Sequence, residues 1–173
     1  MPKLLITPFS ELLASVRRHK PSHVLSVLAD PIVERPESIA PDRHLQISMH
    51  DIAEPMADMI TPSSQHIERI LSFGRGWERS EPFLVHCWAG ISRSTAAAYI
   101  LLCDMHGPGH EERIAKALRF HAPHAQPNSL MVRHADALLG RKNRMIEAIE
   151  SIGEPIFVLE GEIVELPLAL EEL

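Results

Sequence analysis

The chain has 173 residues, 45% apolar and 23% charged, with a formal net charge of −6. That suits one soluble globular domain with a sizeable core, and no apolar run approaches the roughly 20 residues of a membrane helix. Six acidic and no basic residues lie between Glu154 and Leu173. The rest of the chain is balanced and lacks the basic stripe of a nucleic-acid binder, so neither nucleic acid nor a membrane is an expected partner. The N-terminal apolar run is too short for a signal peptide, and Cys87 and Cys103 are the only cysteines. Two free thiols and a reducing cytoplasm are expected.

Lys3 to Thr7 reads as a strand, and Phe9 to Arg18 as a helix that Ser10 could cap, with Leu12, Leu13 and Val16 at helical spacing. His23 to Leu28 is a buried strand. Pro31, Pro36 and Pro41 make a loop of residues 30–42, and Arg43 to Met49 is another strand. His50-Asp51-Ile52 stands at its end. Thr61-Pro62 starts a helix as N-cap and first helical residue, running to about Trp77. Phe83 to His86 is a short apolar strand. Ser94 to Asp104 has no polar face, which predicts a central buried helix. Further helices are expected over His110–His121, Asn128–Leu139 and Asn143–Ile152. Strands early, with helices between and after them, give an α/β fold with a mainly parallel central sheet flanked by helices.

Residues 1–153 form the expected catalytic domain, and 154–173 an acidic C-terminal segment. In that segment Ile156-Phe157-Val158-Leu159 and Ile163-Val164-Glu165-Leu166 flank Glu160-Gly161-Glu162. The pattern predicts a β-hairpin packed on the body or on a partner chain.

The chemistry concentrates in Val85-His86-Cys87-Trp88-Ala89-Gly90-Ile91-Ser92-Arg93-Ser94, a strand end, a tight loop and a helix start. Five residues between Cys87 and Arg93 can wrap a semicircle of inward N–H groups around one oxyanion. The helix adds its positive end. Gly90 permits a backbone angle that other residues resist. A thiol beside a cation at a helix N-terminus ionises more readily, so Cys87 suits a nucleophile attacking phosphorus. Arg93 offers two parallel hydrogen bonds to phosphate oxygens. Ser94 could donate to the cysteine sulfur, and His86 could hold the loop's shape through backbone carbonyls. Trp88 suits the pocket mouth.

His86-Cys87-x5-Arg93-Ser94 resembles the signature of the cysteine-dependent protein-tyrosine phosphatases, and Ala89-Gly90-Ile91-Ser92-Arg93-Ser94 their compact dual-specificity-like branch. The resemblance implies a phosphate loop between the last core strand and the central helix. Trp88, Ala89, Gly90, Ile91, Ser92 and Arg93 would bind substrate. His50-Asp51, 36 residues before Cys87, resembles the family's general-acid loop, with Asp58 as rival and Asp30 a poorer fit. Gln126-Pro127-Asn128 resembles the segment that braces the phosphate loop, although Asn128 equally suits a helix N-cap. The implied function is hydrolysis of phosphotyrosine, with phosphoserine and phosphothreonine in addition, in a phosphorylated protein or a small phosphoester. No metal or cofactor is expected, and the sequence leaves the oligomeric state open. The alternatives are a phosphate-binding module with little turnover, rhodanese-like sulfur transfer and arsenate reduction. Cys103 is poorly placed to resolve an arsenate intermediate, because its helix is apolar nearly all round and reads as core.

Overall fold

The computed structural model describes residues 2–173. Four strands form its parallel core: β1 (Leu4–Pro8), β2 (His23–Val27), β3 (His44–Ile47) and β4 (Phe83–Cys87). The sheet order is β3-β2-β4-β1-β5, where β5 (Val164–Leu166) is antiparallel to β1 at the edge. The helices are α1 (Leu12–His19), α2 (Ser64–Arg75), α3 (Arg93–His106), α4 (Glu111–His121), α5 (Ser129–Leu138) and α6 (Arg144–Ser151). The architecture is the expected α/β sheet with β4 at its centre. No helix among the described residues is long and apolar enough to cross a membrane.

Side-chain alternation along the strands sorts the core into two layers. Leu4 and Ile6 of β1, Leu25 and Val27 of β2, and Phe83 and Val85 of β4 face the large layer containing α2 to α6. Leu5, Val24 and Leu84 face the smaller layer under α1, with Leu12, Val16 and Leu28. Every residue of α3 from Arg93 to Cys103 is buried, so this helix is surrounded by sheet and helices. Its N-terminus therefore has one open direction, toward the carboxyl end of β4.

Three local expectations change. Phe9–Glu11 is a 3-10 turn ahead of α1, and Ser10 caps nothing. Its hydroxyl donates instead to Glu160 Oε1 at 2.9 Å. Helix α2 begins after Ser63 rather than at Thr61-Pro62. Ser63 is extended, and its N–H donates to His66 Nδ1 of the first turn, so the chain enters the helix two residues late. The C-terminal segment forms no hairpin. Ile156, Phe157 and Leu159 stay exposed and form no strand, while Val164–Leu166 pairs with β1, about 160 residues away in sequence. An apolar, alternating run has the strand pattern whichever partner it meets. Here β1 offers a free edge that buries Val164 and Leu166, contributing on the order of 1.5–3 kcal/mol each. Lys3 and His19 pair with Glu165 there and anchor the acidic segment.

Candidate active site

The loop from Cys87 to Arg93 leaves the carboxyl end of β4 and enters α3. Its shape is set by what its carbonyls meet. Trp88 O accepts from Phe9 N–H at 3.0 Å, Ala89 O from Gly161 N–H at 2.8 Å and Ile91 O from Gln126 N–H at 2.9 Å. Ser92 O accepts from Ala96 N–H at 2.9 Å and Asn128 N–H at 3.3 Å. A trans, planar peptide sends its N–H opposite to its C=O. Each tethered outer carbonyl therefore turns the next residue's N–H inward, at Ala89, Gly90, Ser92 and Arg93. Among the described residues, no backbone carbonyl takes the N–H of Ala89, Gly90, Ile91 or Ser92. The result is a concave nest of donors at a helix N-terminus.

Gly90 has φ +70°, and a Cβ there would stand 2.8 Å from Pro8 N. Both conformation and space demand glycine. Gly90 packs against the end of β1 behind the cavity, while Trp88, Ala89, Ile91, Ser92 and Arg93 line it. The cavity measures about 490 Å³ and includes Cys87 and Asp51. A wider depression of about 690 Å³ along α4 holds Glu112, Lys116 and Phe120 but no nucleophile.

Cys87 is buried, and its Sγ lies 3.2 Å from Ser94 Oγ. Arg93 is 9% exposed, and its guanidinium donates to Met49 O at 2.8 Å. Among the described residues its Nε has no partner and no carboxylate pairs with it. A buried, unpaired guanidinium beside inward amides is costly without an anion to meet. Trp88 is 57% exposed at the mouth, stacked on Phe9 with ring centroids 5.8 Å apart.

Asp51 reaches the cavity from the loop after β3. Its Oδ1 accepts from Ser92 Oγ at 2.6 Å and from Asn128 Nδ2 at 2.9 Å. Asp58 and Asp30 do not line this cavity. Asn128 is the N-cap of α5. Its Oδ1 accepts from Met131 N–H at the start of α5, and its Nδ2 also reaches Ile52 O at 3.2 Å.

His86 holds the loop less directly than expected. Its Nδ1 is a long 3.4 Å from Cys87 O, while its Nε2 lies 2.6 Å from Ser26 Oγ. Ser26 Oγ is also 2.9 Å from His44 Nε2. Cys87 O can only accept, so Nδ1 of His86 carries a proton and Nε2 accepts from the Ser26 hydroxyl. Ser26 Oγ in turn accepts from His44. Burial pushes His86 down to about 4 and, with Arg35 nearby, lowers His44, so both are neutral at pH 7. The register explains the relay. Ser26 pairs with His86 across β2 and β4, and His44 lies on the next strand on the same face. No sequence spacing signals Ser26 or His44. Gly161 is likewise invisible without the fold.

No protein-family model matches the chain. The chain is 31% identical over 113 residues to dual specificity protein phosphatase 15 of Mus musculus, and equally to that of Rattus norvegicus. The match covers 64% of this chain and 43% of the relative's length. Among solved structures, DUSP15 superposes with a TM-score of 0.63 at 23% identity, covering 89% of this chain and 95% of that one. The Yvh1 phosphatase domain from Chaetomium thermophilum gives 0.57 at 22%, covering 82% and 93%. Human DUSP28 gives 0.59 at 19%, covering 79% and 94%. The chain has a dual-specificity-phosphatase-like fold.

Proposed function

We propose that this protein is a cysteine-dependent phosphatase that hydrolyses phosphotyrosine, and phosphoserine or phosphothreonine in addition, through a cysteinyl-phosphate. The observation that carries the reading is Cys87 lining the same cavity as a buried Arg93 that, among the described residues, no carboxylate meets, beside a nest of inward amides. In this reading the substrate phosphoryl group takes the anion's place. Arg93 and the amides of Ala89, Gly90 and Ser92 hold its non-bridging oxygens, and their fixed dipoles stabilise the charge of the transition state. The Cys87 thiolate attacks phosphorus as the bond to the leaving oxygen breaks. Asp51, as the acid, gives that oxygen a proton. Asp51 then takes a proton from water as the water attacks the cysteinyl-phosphate, releasing inorganic phosphate and the thiolate. The Ser94 hydroxyl lies 3.2 Å from Sγ, and in this step it donates to the departing thiolate and stabilises it.

An aryl ester is favoured by the mouth, where Phe9 and Trp88 form an aromatic wall. Residues 88–92 carry no lysine, so Arg93 supplies the loop's positive charge, which suits one phosphate rather than a polyphosphorylated headgroup. The test is phosphate release from an aryl phosphate by the wild type and by Cys87→Ser. A loss of about 10⁴-fold or more is expected. Equal rates would refute the reading. Tungstate binding by a wild type that releases no phosphate would make the protein a phosphate-binding module instead.

A further inference from the structure

The C-terminal segment passes directly behind the phosphate loop. Residues 154–163 have no regular structure, yet Gly161 is buried. The segment is pinned at several points. Ile156 N–H donates to Pro123 O at 2.9 Å, Ser10 Oγ donates to Glu160 Oε1, and β5 then joins the sheet at β1. Between those anchors Gly161 N–H donates to Ala89 O at 2.8 Å. A Cβ on Gly161 would stand 2.6 Å from His124 Nε2, 2.9 Å from His124 Cδ2 and 3.0 Å from Gly90 O. The segment's backbone therefore lies against the loop's backbone with no room for a side chain.

The Ala89–Gly90 peptide has particular need of that contact. Gly90 is the loop's one glycine, and glycine resists peptide rotation least. Rotation of this peptide would exchange its inward N–H for a carbonyl, placing a negative dipole where an anion is to sit. The neighbouring carbonyls are held by other elements: Trp88 O by the start of the α1 region, Ile91 O by Gln126 and Ser92 O by α3. Ala89 O has Gly161.

We propose that the C-terminal segment is a strap that positions the phosphate loop, with Gly161 locking the Ala89–Gly90 peptide so that Gly90 N–H faces the substrate oxyanion. The strap touches no substrate, and Gly161 is a positioning residue. The proposal rests on the reading of the loop as an oxyanion cradle. It predicts that the two hydrogen bonds of the Ala89–Gly90 peptide are coupled. An oxyanion bound at Gly90 N–H polarises the peptide and strengthens the bond from Gly161 to Ala89 O.

The first test titrates tungstate, an unreactive tetrahedral oxyanion, into the ¹⁵N-labelled full chain. The Gly90 and Gly161 amide resonances should move together and saturate at one concentration. Movement of Gly90 with Gly161 unmoved overturns the strap. If tungstate moves neither, the cradle reading itself fails and takes the proposal with it. The second test is Gly161→Ala. Tungstate affinity and kcat/KM for an aryl phosphate should both fall about tenfold, since small displacements at a reacting centre are costly. Adding His124→Ala removes the 2.6 Å contact and should restore much of the loss relative to His124→Ala alone, the proper reference because the His124 ring also lies beside Gly90 of the loop. A folded Gly161→Ala with wild-type affinity and turnover overturns the proposal. If that variant does not fold, the titration of the wild type decides.

Discussion

The two walls of the cleft are built on opposite plans. The wall from Cys87 to Ser94 is built on backbone, with Cys87, Gly90, Arg93 and Ser94 buried, and its carbonyls are tethered by four separate parts of the chain. The wall carrying Asp51 is an exposed loop. Its backbone ties are His50 N–H to Ile60 O at 2.8 Å and Met59 N–H to Met56 O at 3.3 Å. Side chains join it to the first wall and to the start of α5: Ser92 and Asn128 donate to Asp51 Oδ1, and Arg93 donates to Met49 O. The difference matches what each wall is asked to do. Stabilising charge on phosphorus requires dipoles that are already aimed, because reorientation during the reaction would cost what it gains. Delivering a proton requires only that a carboxyl arrive in reach, so few tethers and a low opening free energy are tolerable there.

The harshest test of the rigid wall is Arg93. Arg93→Ala should lower kcat/KM by about 10³-fold, as removing a preorganised charge contact does. Arg93→Lys should recover little, because a point charge cannot supply the parallel fork. Unfolding by urea without substrate should change by no more than about 1 kcal/mol, because the lost bond to Met49 O is offset by removing a buried, unpaired charge. A large stability loss with turnover intact would make Arg93 structural and erase the contrast.

On the exposed wall, Asp51→Asn should cost about 10²-fold for leaving groups that need a proton and much less for good ones. Fold stability should hardly change, since the carboxyl is exposed. Asp58→Asn should be neutral, for Asp58 lies outside the cavity. A series of aryl phosphates of graded leaving-group strength measures both. The same slope for Asp51→Asn and wild type would remove Asp51 from the role.

Acid should lower the stability of the whole fold through the histidine behind the rigid wall. His86 in the folded state is pushed down to about 4, against 6.5 when unfolded. The unfolded chain therefore takes up the proton first. The stability that neutral His86 contributes is complete above 6.5, declines as pH falls below it, and is fully lost below about 4. From pH 7 to pH 5 that single group costs about 2 kcal/mol. Burial lowers His23, His44, His66, His106 and His124 as well, so they act in the same direction. Urea unfolding at the two pH values reads the sum. A flat profile would mean that His86 is not neutral behind the loop.

These contrasts also mark what the sequence could and could not show. The rigid wall is local, with strand, loop and helix contiguous from Phe83 to His106, so residue types and spacing alone announce it. Asp51 was legible as a carboxylate at a strand end, but its two tethers come from Ser92 and Asn128, and nothing in the sequence orients a side chain. The relay of His44, Ser26 and His86 depends on the register of three strands, which alternation does not specify. The hairpin expectation failed for the same reason. Alternation in residues 163–166 identifies a strand but not its partner, and β1 supplied the partner. The apolar side chains of Ile156, Phe157 and Leu159 remain in solvent, where a pattern-based reading would not leave them.

Ser94 should have a smaller effect than Asp51, confined to one step. Ser94→Ala should slow release of phosphate from the cysteinyl-phosphate about tenfold and leave its formation nearly unchanged, so a rapid-mixing assay should show a larger burst relative to steady-state turnover than in wild type. Slowing of both steps alike would place Ser94 in loop structure instead.

The mildest expected effect lies where the walls meet. Asn128→Ser keeps an oxygen able to cap α5 but loses the Nδ2 donor to Asp51 Oδ1 and Ile52 O. Ser92 Oγ still holds the same carboxylate oxygen at 2.6 Å, so kcat should fall only about threefold, with KM unchanged. Ser92→Ala should do the same from the other side. Two donors that share one acceptor and back each other up are not additive. The double variant should therefore lose more than the product of the singles, approaching the effect of Asp51→Asn. A strictly multiplicative double variant would mean that each donor orients Asp51 independently, and that the exposed wall is more rigidly set than its few backbone ties suggest.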